Sequence, residues 1–513
     1  MIGGENMTDN FQFSISNFQK GLKRIFLPIL GIIILFFLLR LPNLTIWPIF
    51  ADEAIYLRWA QVMRNEPTLR FLPLSDGKQP FYMWIAMASL RFFADPLFGG
   101  RLISVFAGFG SLVGIMFLTW QLFKNKKTVF LAGLFLAVTP YFVFFDRLAL
   151  VDSLLTCFGI WTFLLAILLA RNQRLDLAMI TGLILGLALI TKSPALFFAL
   201  FLPVTILFKD PKKPWWRLIG LWLVAYGFGF AIYNLLRLGP GFEMIAIRNR
   251  DYVFPFAEIL QHPHDPLKPH LHDLAKWLPN LFTWPVFLLA FLGAILCLQK
   301  PGVRKKGLFL LLISLGPIIA QSVVARTFTP RYLLFAVWPL VILAAWGLKS
   351  LSKQPLGLLI LVLIWPLYYD WHFLTNPQAS QIPRKMRSGY LEEWSSGYGI
   401  NEVRDFIFQR LEETDQNLLV GTEGFFGTLP DGLQIYFDQH PRVLILGVGQ
   451  PVYVAPPQLL SATIDNEVYL VVNQSRMLAP DSPPLQLVGQ YPKASGPQNQ
   501  DYLLLYRVLR SDG

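Results

Sequence analysis

The stretch WPIFADEAIYLRWAQVMRNEPTLRFLPLSDGKQPFYMW, residues 47–84, follows the first long apolar run of the chain. It places two adjacent carboxylates, Asp52 and Glu53, before apolar residues that recur at helical spacing, and this pattern predicts an amphipathic helix. It also places a lysine, Lys78, before an aromatic run. Since ionisable residues at membrane faces are usually functional, this combination indicates chemistry on an anionic lipid.

The composition predicts a polytopic membrane protein. Of the 513 residues, 54% are hydrophobic and only 15% are charged, and 44 are Phe, which exceeds what a soluble core needs. The net charge of +12 does not indicate a nucleic-acid partner, because the basic residues form short runs between apolar spans rather than one basic face. Cys157 and Cys297 lie in different apolar spans, so they predict neither a disulfide framework nor a metal site.

The fold class predicted from the apolar runs is a polytopic α-helical membrane protein with about eleven transmembrane helices, followed by a soluble α/β domain. The predicted spans are 25–44, 101–122, 128–145, 153–170, 176–191, 194–208, 216–237, 277–298, 307–325, 332–348 and 355–370. The first span has no small-residue cleavage site and is interpreted as an uncleaved signal anchor.

Basic runs between alternate spans predict the topology. They are KNKK (124–127), RNQR (171–174), KDPKKPWWR (209–217), QKPGVRKK (299–306) and KSLSK (349–353). By the positive-inside rule these runs are cytoplasmic, as is the N-terminal segment 1–24. The first loop, 45–100, and the long loop, 238–276, then lie on the outer face. The apolar run 81–93 is short and is predicted to be an interfacial helix rather than a crossing.

Hydropathy falls after the last span, and residues 371–513 are predicted to form an extracytoplasmic α/β domain behind the 25–370 membrane domain. NEVRDFIFQRLEE (401–413) has the pattern of an amphipathic helix. Four short strands are predicted between Gly, Pro and Asp turns. They are NLLVG (417–421), RVLILGV (442–448), EVYLVV (467–472) and DYLLLYRVL (501–509).

Each candidate site residue on the outer face has a simpler structural alternative. Asp52 could only cap the helix that it precedes. Lys78 and Arg331 could be interfacial anchors whose charged heads reach the lipid headgroups. Arg147 and Asp152, in FFDRLALVDSLLT, could simply pair with each other. Lys192, in ITKSP, could only mark a turn.

The long outer loop contains His262, His264, His270 and His272 without an HExxH or paired-cysteine frame, so a metal site is not favoured there. A mobile loop over an active site is the preferred interpretation. The cluster of Arg248, Arg250 and Asp251 then provides candidate substrate contacts.

In this order and on one face, these motifs resemble the GT-C membrane glycosyltransferases of the protein mannosyltransferase and lipid A aminoarabinose transferase type. The resemblance covers roughly 25–350 and rests on five features: the Asp52–Glu53 pair, Lys78-Gln79-Pro80, the RLALVD segment (147–152), Thr191-Lys192-Ser193-Pro194 and Arg331-Tyr332. The family often has Lys-Pro-Pro and Lys-Gly-Pro at the two lysine motifs, and this chain keeps both lysines.

The resemblance implies transfer of a sugar from a polyprenyl-phosphate donor to a lipid, glycan or protein acceptor at the outer face of the cell membrane. Asp52 would be the general base, with Glu53 beside it as the second catalytic residue. Lys78, Lys192 and Arg331 would hold the donor phosphate. Arg147 and Asp152 would shape the sugar pocket. The substrate-binding set also includes Tyr56 and Arg101.

No cofactor is expected from this resemblance, and a divalent metal is not favoured, because fixed cations can supply the positive charge. Single displacement would invert the sugar. The alternative function is a transporter or flippase for an anionic polyprenyl-linked lipid. Transporters bind near the bilayer midplane and often have repeated halves, whereas here the charges cluster at one face. A receptor or scaffold would leave the acidic pair unexplained.

Overall fold

A computed structural model describes residues 27–262, 264–351, 356–478, 484–496 and 500–510. Within them six helices are long and apolar enough to cross a membrane, or up to eight if each of two bent pairs is one span. The six are Pro96–Phe123 (α4), Val151–Asn172 (α7), Trp215–Asn234 with its extension to Leu238 (α10), Pro301–Val324 (α15), Leu334–Leu351 with the 3-10 turn from Pro330 (α16) and Leu356–Thr375 (α17). The predicted polytopic helical fold is confirmed. The predicted N-terminal segment 1–24 lies outside the described residues.

Two predicted spans are bent pairs of helices. The span at 128–145 consists of Lys126–Val138 (α5) and Pro140–Asp146 (α6), with a bend of 55° at Pro140. The span at 277–298 is divided between Leu267–Phe282 (α13) and Trp284–Gln299 (α14), which meet at 110°. Thr283, between them, has a φ of 62°, and Pro285 follows it. The uninterrupted span predicted there is therefore wrong, because backbone geometry and proline break the helix.

Three other apolar helices are short. They are Leu27–Leu38 (α1), Leu175–Leu189 (α8) and the broken segment Ser193–Phe208, in which Leu196–Phe201 (α9) is flanked by 3-10 turns.

The first outer loop contains the amphipathic helix predicted from its sequence, Ala51–Asn65 (α2). Asp52 does not cap this helix. Instead, the Glu53 carboxylate accepts a hydrogen bond from the backbone N–H of Phe50 at 3.0 Å. The next helix, Phe81–Ser89 (α3), has nine residues, too few to cross a bilayer.

The long outer loop is more ordered than predicted. It contains the helices Met244–Tyr252 (α11) and Phe256–Gln261 (α12) before α13 begins. Backbone hydrogen bonds join the end of α11 to the segment after α15, since Arg326 N donates to Tyr252 O and Phe254 N donates to Val324 O. These contacts fix α11 beside the C-terminal end of α15.

The C-terminal domain is built on a five-stranded mixed sheet in the order β2-β1-β3-β5-β4. Its strands are Leu418–Thr422 (β1), Val443–Gly447 (β2), Glu467–Asn473 (β3), Leu485–Pro492 (β4) and Tyr502–Val508 (β5). Its helices are Ile400–Glu413 (α19), Asp431–Gln434 (α20) and Pro457–Ala462 (α21), and the short Arg384–Arg387 (α18) precedes them. The four predicted strands and the predicted helix are present, but β4 was missed.

The sheet is attached to the membrane domain beside the acidic pair. Asp438 accepts hydrogen bonds from Arg58, Arg64 and Asn65 of α2. In addition, Ala51 N donates to Ser395 O at 3.0 Å. The C-terminal domain therefore covers the helix that begins at the predicted active site.

Candidate active site

Arg331 is the centre of a network of four charged side chains. Its Nη2 lies 2.5 Å from Oδ2 of Asp52, and its Nε lies 3.7 Å from Oδ2 of Asp152. Lys192 donates from Nζ to Oδ1 of Asp152 at 2.6 Å. These residues lie at the beginning of α2, the beginning of α7, the turn after α8 and the turn before α16. The fold thus brings together four residues that are far apart in sequence.

Lys78 lies close to this network and has a different kind of partner. Its Nζ donates to the hydroxyl of Tyr252 at 2.8 Å and lies 4.8 Å from the centre of that ring. Among the described residues, no carboxylate lies within ion-pair distance of Lys78. Counting Lys78, the site has three cations and two carboxylates, which leaves one surplus positive charge. That charge complements a phosphodiester anion.

A cavity of about 720 Å³ adjoins these groups. Lys78, Lys192 and Arg331 line its polar part, and Tyr56 also contributes. The opposite part is apolar and includes Leu196 and Leu200 of α9, Phe197 between them, and Val324. Leu196 and Leu200 are 54% and 67% exposed. The cavity therefore joins a cationic end to an apolar wall on the lipid-facing side of the helices.

The electrostatics keep Asp52 ionised. Burial raises the pKa of Asp52, but the charges of Arg331 and Lys78 outweigh this effect, and the net pKa lies below the ordinary value. Burial opposes the charged form of Lys78, but the Asp52 carboxylate and the Tyr252 hydroxyl raise its pKa above the ordinary value overall. For Lys192, burial dominates and lowers the pKa despite the Asp152 carboxylate. Asp52 is therefore a carboxylate and Lys78 an ammonium at neutral pH.

Glu53 and Arg101 lie away from the cavity, in a buried pair of their own. Arg101 donates from Nε and Nη2 to the two Glu53 oxygens, both at 2.8 Å, and both side chains are fully buried. Arg101 also donates to the backbone carbonyls of Leu44 and Trp47. Glu53 accepts a further hydrogen bond from Ala149 N. The geometry favours a scaffold role for both residues over the catalytic and substrate-binding roles predicted for them.

Arg147 also contacts backbone rather than the cavity. Its guanidinium donates to the carbonyls of Arg40, Pro42 and Asn43, which holds the chain just after α1. The alternative that Arg147 and Asp152 pair with each other is wrong, since the partners of Asp152 are Lys192 and Arg331. Arg147 and Asp152 are close in sequence, but α7 begins at Val151 between them, and the two side chains have different partners.

Two tyrosines of the site were given no role from the sequence. Tyr252 binds Lys78, and the Tyr332 ring centre lies 4.5 Å from Lys192 Nζ. Tyr332 directly follows Arg331 in the Arg-Tyr motif, so a signal for it existed. Tyr252 had no signal beyond its position in the long outer loop. The predicted Tyr56 does line the cavity, where burial raises its pKa well above the ordinary value.

The long outer loop supplies one of its three predicted contact residues to the cavity. Arg248 lines the cavity and pairs with Asp76 at 2.9 Å and with Asp251 at 2.6 Å. Arg250 and Asp251 are exposed and are not part of the lining.

The histidines of this loop do not converge. His270 is buried, stacks on Phe328 and contacts Ser322 O through Nδ1. Over the described ranges, no group of three or more His, Cys, Asp or Glu side chains is arranged to hold a metal ion.

Comparison with known proteins gives a family match and a shared fold. The family model described as dolichyl-phosphate-mannose-protein mannosyltransferase matches residues 77–235, the part of the chain that carries Lys78, Asp152 and Lys192. The crystal structure of ArnT from Cupriavidus metallidurans bound to undecaprenyl phosphate aligns with a TM-score of 0.58 and 15% identity, covering 96% of this chain and 99% of that chain. The apo structure of the same ArnT aligns with a TM-score of 0.57 and 14% identity, with the same coverage. No curated protein matches the chain in sequence.

The family match over residues 77–235 and the fold shared with ArnT indicate a membrane glycosyltransferase of the GT-C type. At 14–15% identity the structural likeness establishes the GT-C fold, and the family match adds the enzyme class. The resemblance that the sequence motifs indicated is therefore confirmed. The match to a mannosyltransferase family model supports an enzyme over the transporter alternative.

Proposed function

We propose that this GT-C enzyme transfers a sugar from a polyprenyl-phosphate donor to a lipid, glycan or protein acceptor at the outer face of the cell membrane. The observation that carries the proposal is the cavity of about 720 Å³, in which three cations face an apolar wall open to lipid. Polyprenyl phosphates have both features, an anionic phosphate and a long apolar tail.

Lys78 and Arg331 offer hydrogen-bond donors to the phosphate. The protein itself leaves part of this hydrogen-bonding capacity unused. Among the described residues, the Lys78 ammonium has only the neutral Tyr252 hydroxyl as a hydrogen-bond partner. Nη1 of Arg331 is buried and has no hydrogen-bond partner among the described residues. A buried donor without a partner costs free energy, so a ligand oxygen that satisfies it stabilises the bound state. Lys192 would support the phosphate from beside Asp152.

Asp52 acts as the general base in this proposal. Its carboxylate pairs with Arg331. A donor phosphate that binds Arg331 competes for the same guanidinium and loosens that pair. Asp52 then accepts the proton of the acceptor hydroxyl while the hydroxyl oxygen bonds to the anomeric carbon. The bond from that carbon to the phosphate oxygen breaks, the cations stabilise the released polyprenyl phosphate, and the sugar is inverted.

The proposed mechanism uses no metal ion, because Lys78, Lys192 and Arg331 supply the positive charge at the leaving phosphate. The proposed topology has a cytoplasmic N-terminus and an extracytoplasmic C-terminal domain. A phosphatase reporter fused after Tyr390 would test it, since that reporter is active only outside the cytoplasm. An inactive fusion would contradict the orientation, which rests on the basic runs between spans.

The decisive experiment is an activity assay with the purified full-length protein. The protein is incubated with a labelled undecaprenyl-phosphate sugar as donor and with envelope membranes from the organism that encodes it as the source of acceptor. Release of undecaprenyl phosphate is then measured with and without EDTA. The proposal predicts release and transfer of label, both unaffected by EDTA. Movement of intact labelled lipid across vesicles without cleavage would support the flippase instead. Release abolished by EDTA would overturn the metal-free mechanism.

A further inference from the structure

A hydrogen bond between two side chains joins the two lysine-bearing turns of the donor cavity. Nε2 of the Gln79 amide donates to Oγ of Ser193 at 2.7 Å. Gln79 directly follows Lys78, and Ser193 directly follows Lys192. The bond therefore connects two segments that are 114 residues apart, at the positions next to both cations.

The Gln79–Ser193 bond lies in the wall of the cavity and is largely shielded from water. Both residues line the cavity of about 720 Å³. Gln79 is 5% exposed, and Ser193 is half-buried. A backbone hydrogen bond joins the same two segments nearby, from Phe81 N to Ile190 O at 3.3 Å. Since a hydrogen bond is stronger where water is excluded, the Gln79–Ser193 bond is suited to hold the turns together beside the lysines.

The two turns carry like charges that repel each other. Burial is the main cause that lowers the pKa of Lys192, and the charges of Arg331 and Lys78 lower it further. The ammonium groups bind different partners, because Lys78 donates to the Tyr252 hydroxyl and Lys192 donates to the Asp152 carboxylate. Repulsion between the two lysines therefore acts to separate their turns. The Gln79–Ser193 bond opposes that separation.

We propose that Gln79 and Ser193 are positioning residues, which keep the Lys78 and Lys192 ammonium groups close together so that both bind one phosphate. This inference rests on the proposed function, in which the two lysines hold the donor phosphate. Cations that are already close need no rearrangement when the anion binds, and this preorganisation increases affinity.

The effect should be largest for the released polyprenyl phosphate. The donor is a phosphodiester with one negative charge. When the bond to the anomeric carbon breaks, its electron pair stays on the phosphate oxygen, and the monoester carries a charge of about −1.5 to −2 at pH 7. Two closely spaced ammonium groups stabilise this additional charge more than two separated ones.

Affinity for undecaprenyl phosphate, measured on the purified full-length protein, tests the proposal without requiring sugar transfer. Ser193→Thr and Ser193→Val introduce side chains of the same shape that differ in one hydroxyl group. The Val variant should bind about 3- to 10-fold more weakly than the Thr variant, as expected for the loss of one hydrogen bond. Gln79→Met keeps the side-chain length and should show a similar loss relative to wild type. Adding Gln79→Met to Ser193→Val should cost little more, because both remove the same bond.

The same comparison in a Lys78→Met background distinguishes positioning from direct contact with the ligand. Without the Lys78 charge the repulsion is gone, so the Ser193→Thr and Ser193→Val proteins should agree within about twofold. A difference that persists in this background would show that the hydroxyl binds the phosphate itself, and would overturn the proposal. Equal affinities of the Thr and Val variants in the presence of Lys78 would overturn it as well.

Ser75→Ala is the matched control in the first outer loop. The Ser75 hydroxyl is exposed and donates to Leu72 O at 2.7 Å, so its removal should leave affinity unchanged. A loss as large as that of Ser193→Val would mean that any weakened turn lowers affinity, and the proposal would fail.

Sugar transfer by the same proteins separates this inference from the proposed function. Binding with the expected Thr/Val difference but without transfer would support the positioning role and contradict the proposed function. Transfer without that difference would contradict the positioning role alone. No binding of undecaprenyl phosphate by the wild type would overturn both.

Discussion

Asp52 and Glu53 are adjacent in sequence, but they belong to two different ion-pair networks. The Asp52 side chain is 23% exposed and meets Arg331 at the edge of the donor cavity. The Glu53 side chain is fully buried, as is its partner Arg101. Because successive residues of a helix point about 100° apart, one turn of α2 places one carboxylate toward the cavity and the other into the protein.

The two networks also differ in what they leave unused. Arg101 donates five hydrogen bonds to Glu53 and to backbone carbonyls. Within the part of the chain that the structure describes, Arg331 keeps one buried nitrogen without a hydrogen-bond partner, and nearby Lys78 has no carboxylate within ion-pair distance. A satisfied network holds the backbone, whereas a network with spare donors is able to receive an anion. Whether hydrogen-bond donors are left over therefore distinguishes a structural ion pair from a binding site better than the types of residue do.

Replacing Asp52, the carboxylate at the edge of the cavity, should have the largest effect on sugar transfer. Asp52→Asn is nearly isosteric and removes the proton acceptor, so single-turnover sugar transfer should fall by about 10²–10⁴-fold. Stability should change little, because Glu53 and not Asp52 caps α2. Donor affinity should be retained, since Arg331 loses a competing partner. Transfer rate, melting temperature and donor affinity are measured on each purified variant.

The control for this variant is Asp265→Asn, which changes an exposed carboxylate in the long outer loop. It should transfer sugar at the wild-type rate. If Asp52→Asn also transfers at nearly the wild-type rate, Asp52 is not the base, and the contrast between the two carboxylates has no catalytic meaning.

Replacing the buried carboxylate should act on stability instead. Glu53→Gln leaves the Arg101 guanidinium buried without a counter-charge, which typically costs about 3–5 kcal/mol. Thermal unfolding should show this loss, while the transfer rate per folded molecule falls far less than in Asp52→Asn. The double variant Glu53→Gln/Arg101→Met removes both charges and should recover part of the stability. A Glu53→Gln variant that is stable but inactive would place Glu53 in the chemistry.

Much of the fold was predictable because it depends on local signals. Apolar runs, basic runs and period-two alternation predicted the helical membrane domain and four of the strands correctly. β4 was missed because LQLVGQYP contains a glycine and a bulge, with a register shift between Leu487 and Gly489. The break at Thr283 was missed because a positive φ at a threonine has no sequence signature.

The candidate site was predictable only in part, for a physical reason. Ionisable residues at the predicted outer ends of spans are few, so Asp52, Lys78, Lys192 and Arg331 could be proposed as site residues from their motifs. Whether a charged residue faces a cavity or the backbone depends on packing between distant elements. The sequence therefore placed Glu53 beside Asp52 as a second catalytic residue, and it gave Arg147 a substrate role although its partners are three carbonyls.

Removing the Lys78 ammonium should have a smaller effect, on the affinity for the lipid donor. Lys78→Ala should weaken donor affinity about 10- to 100-fold, as expected for one hydrogen bond to a charged group. Lys78→Arg should restore part of that loss, since a planar guanidinium keeps the charge but not the geometry. Lys276→Ala, an exposed lysine of α13, is the control and should bind the donor normally. Equal affinity in Lys78→Ala and the control would make Lys78 a headgroup anchor.

The smallest expected effect is a shift in the pH profile, and it tests the link between Asp52 and Arg331. The pKa of Asp52 lies below its ordinary value, because the charges of Arg331 and Lys78 outweigh burial. A carboxyl with a depressed pKa stays ionised as pH falls, so the acid limb of kcat/KM, which reports the free enzyme, should lie at lower pH than an unperturbed aspartate would give. Its contribution to stability is likewise present above the unfolded pKa and lost as pH falls through the folded one.

A bound donor phosphate competes for the same cations and adds negative charge beside Asp52. The acid limb of kcat, which reports the donor complex, should therefore lie at higher pH than that of kcat/KM. Arg331→Gln should raise the limb of kcat/KM toward that of kcat. Acid limbs that coincide in the wild type and do not move in Arg331→Gln would show that the ion pair does not control the base.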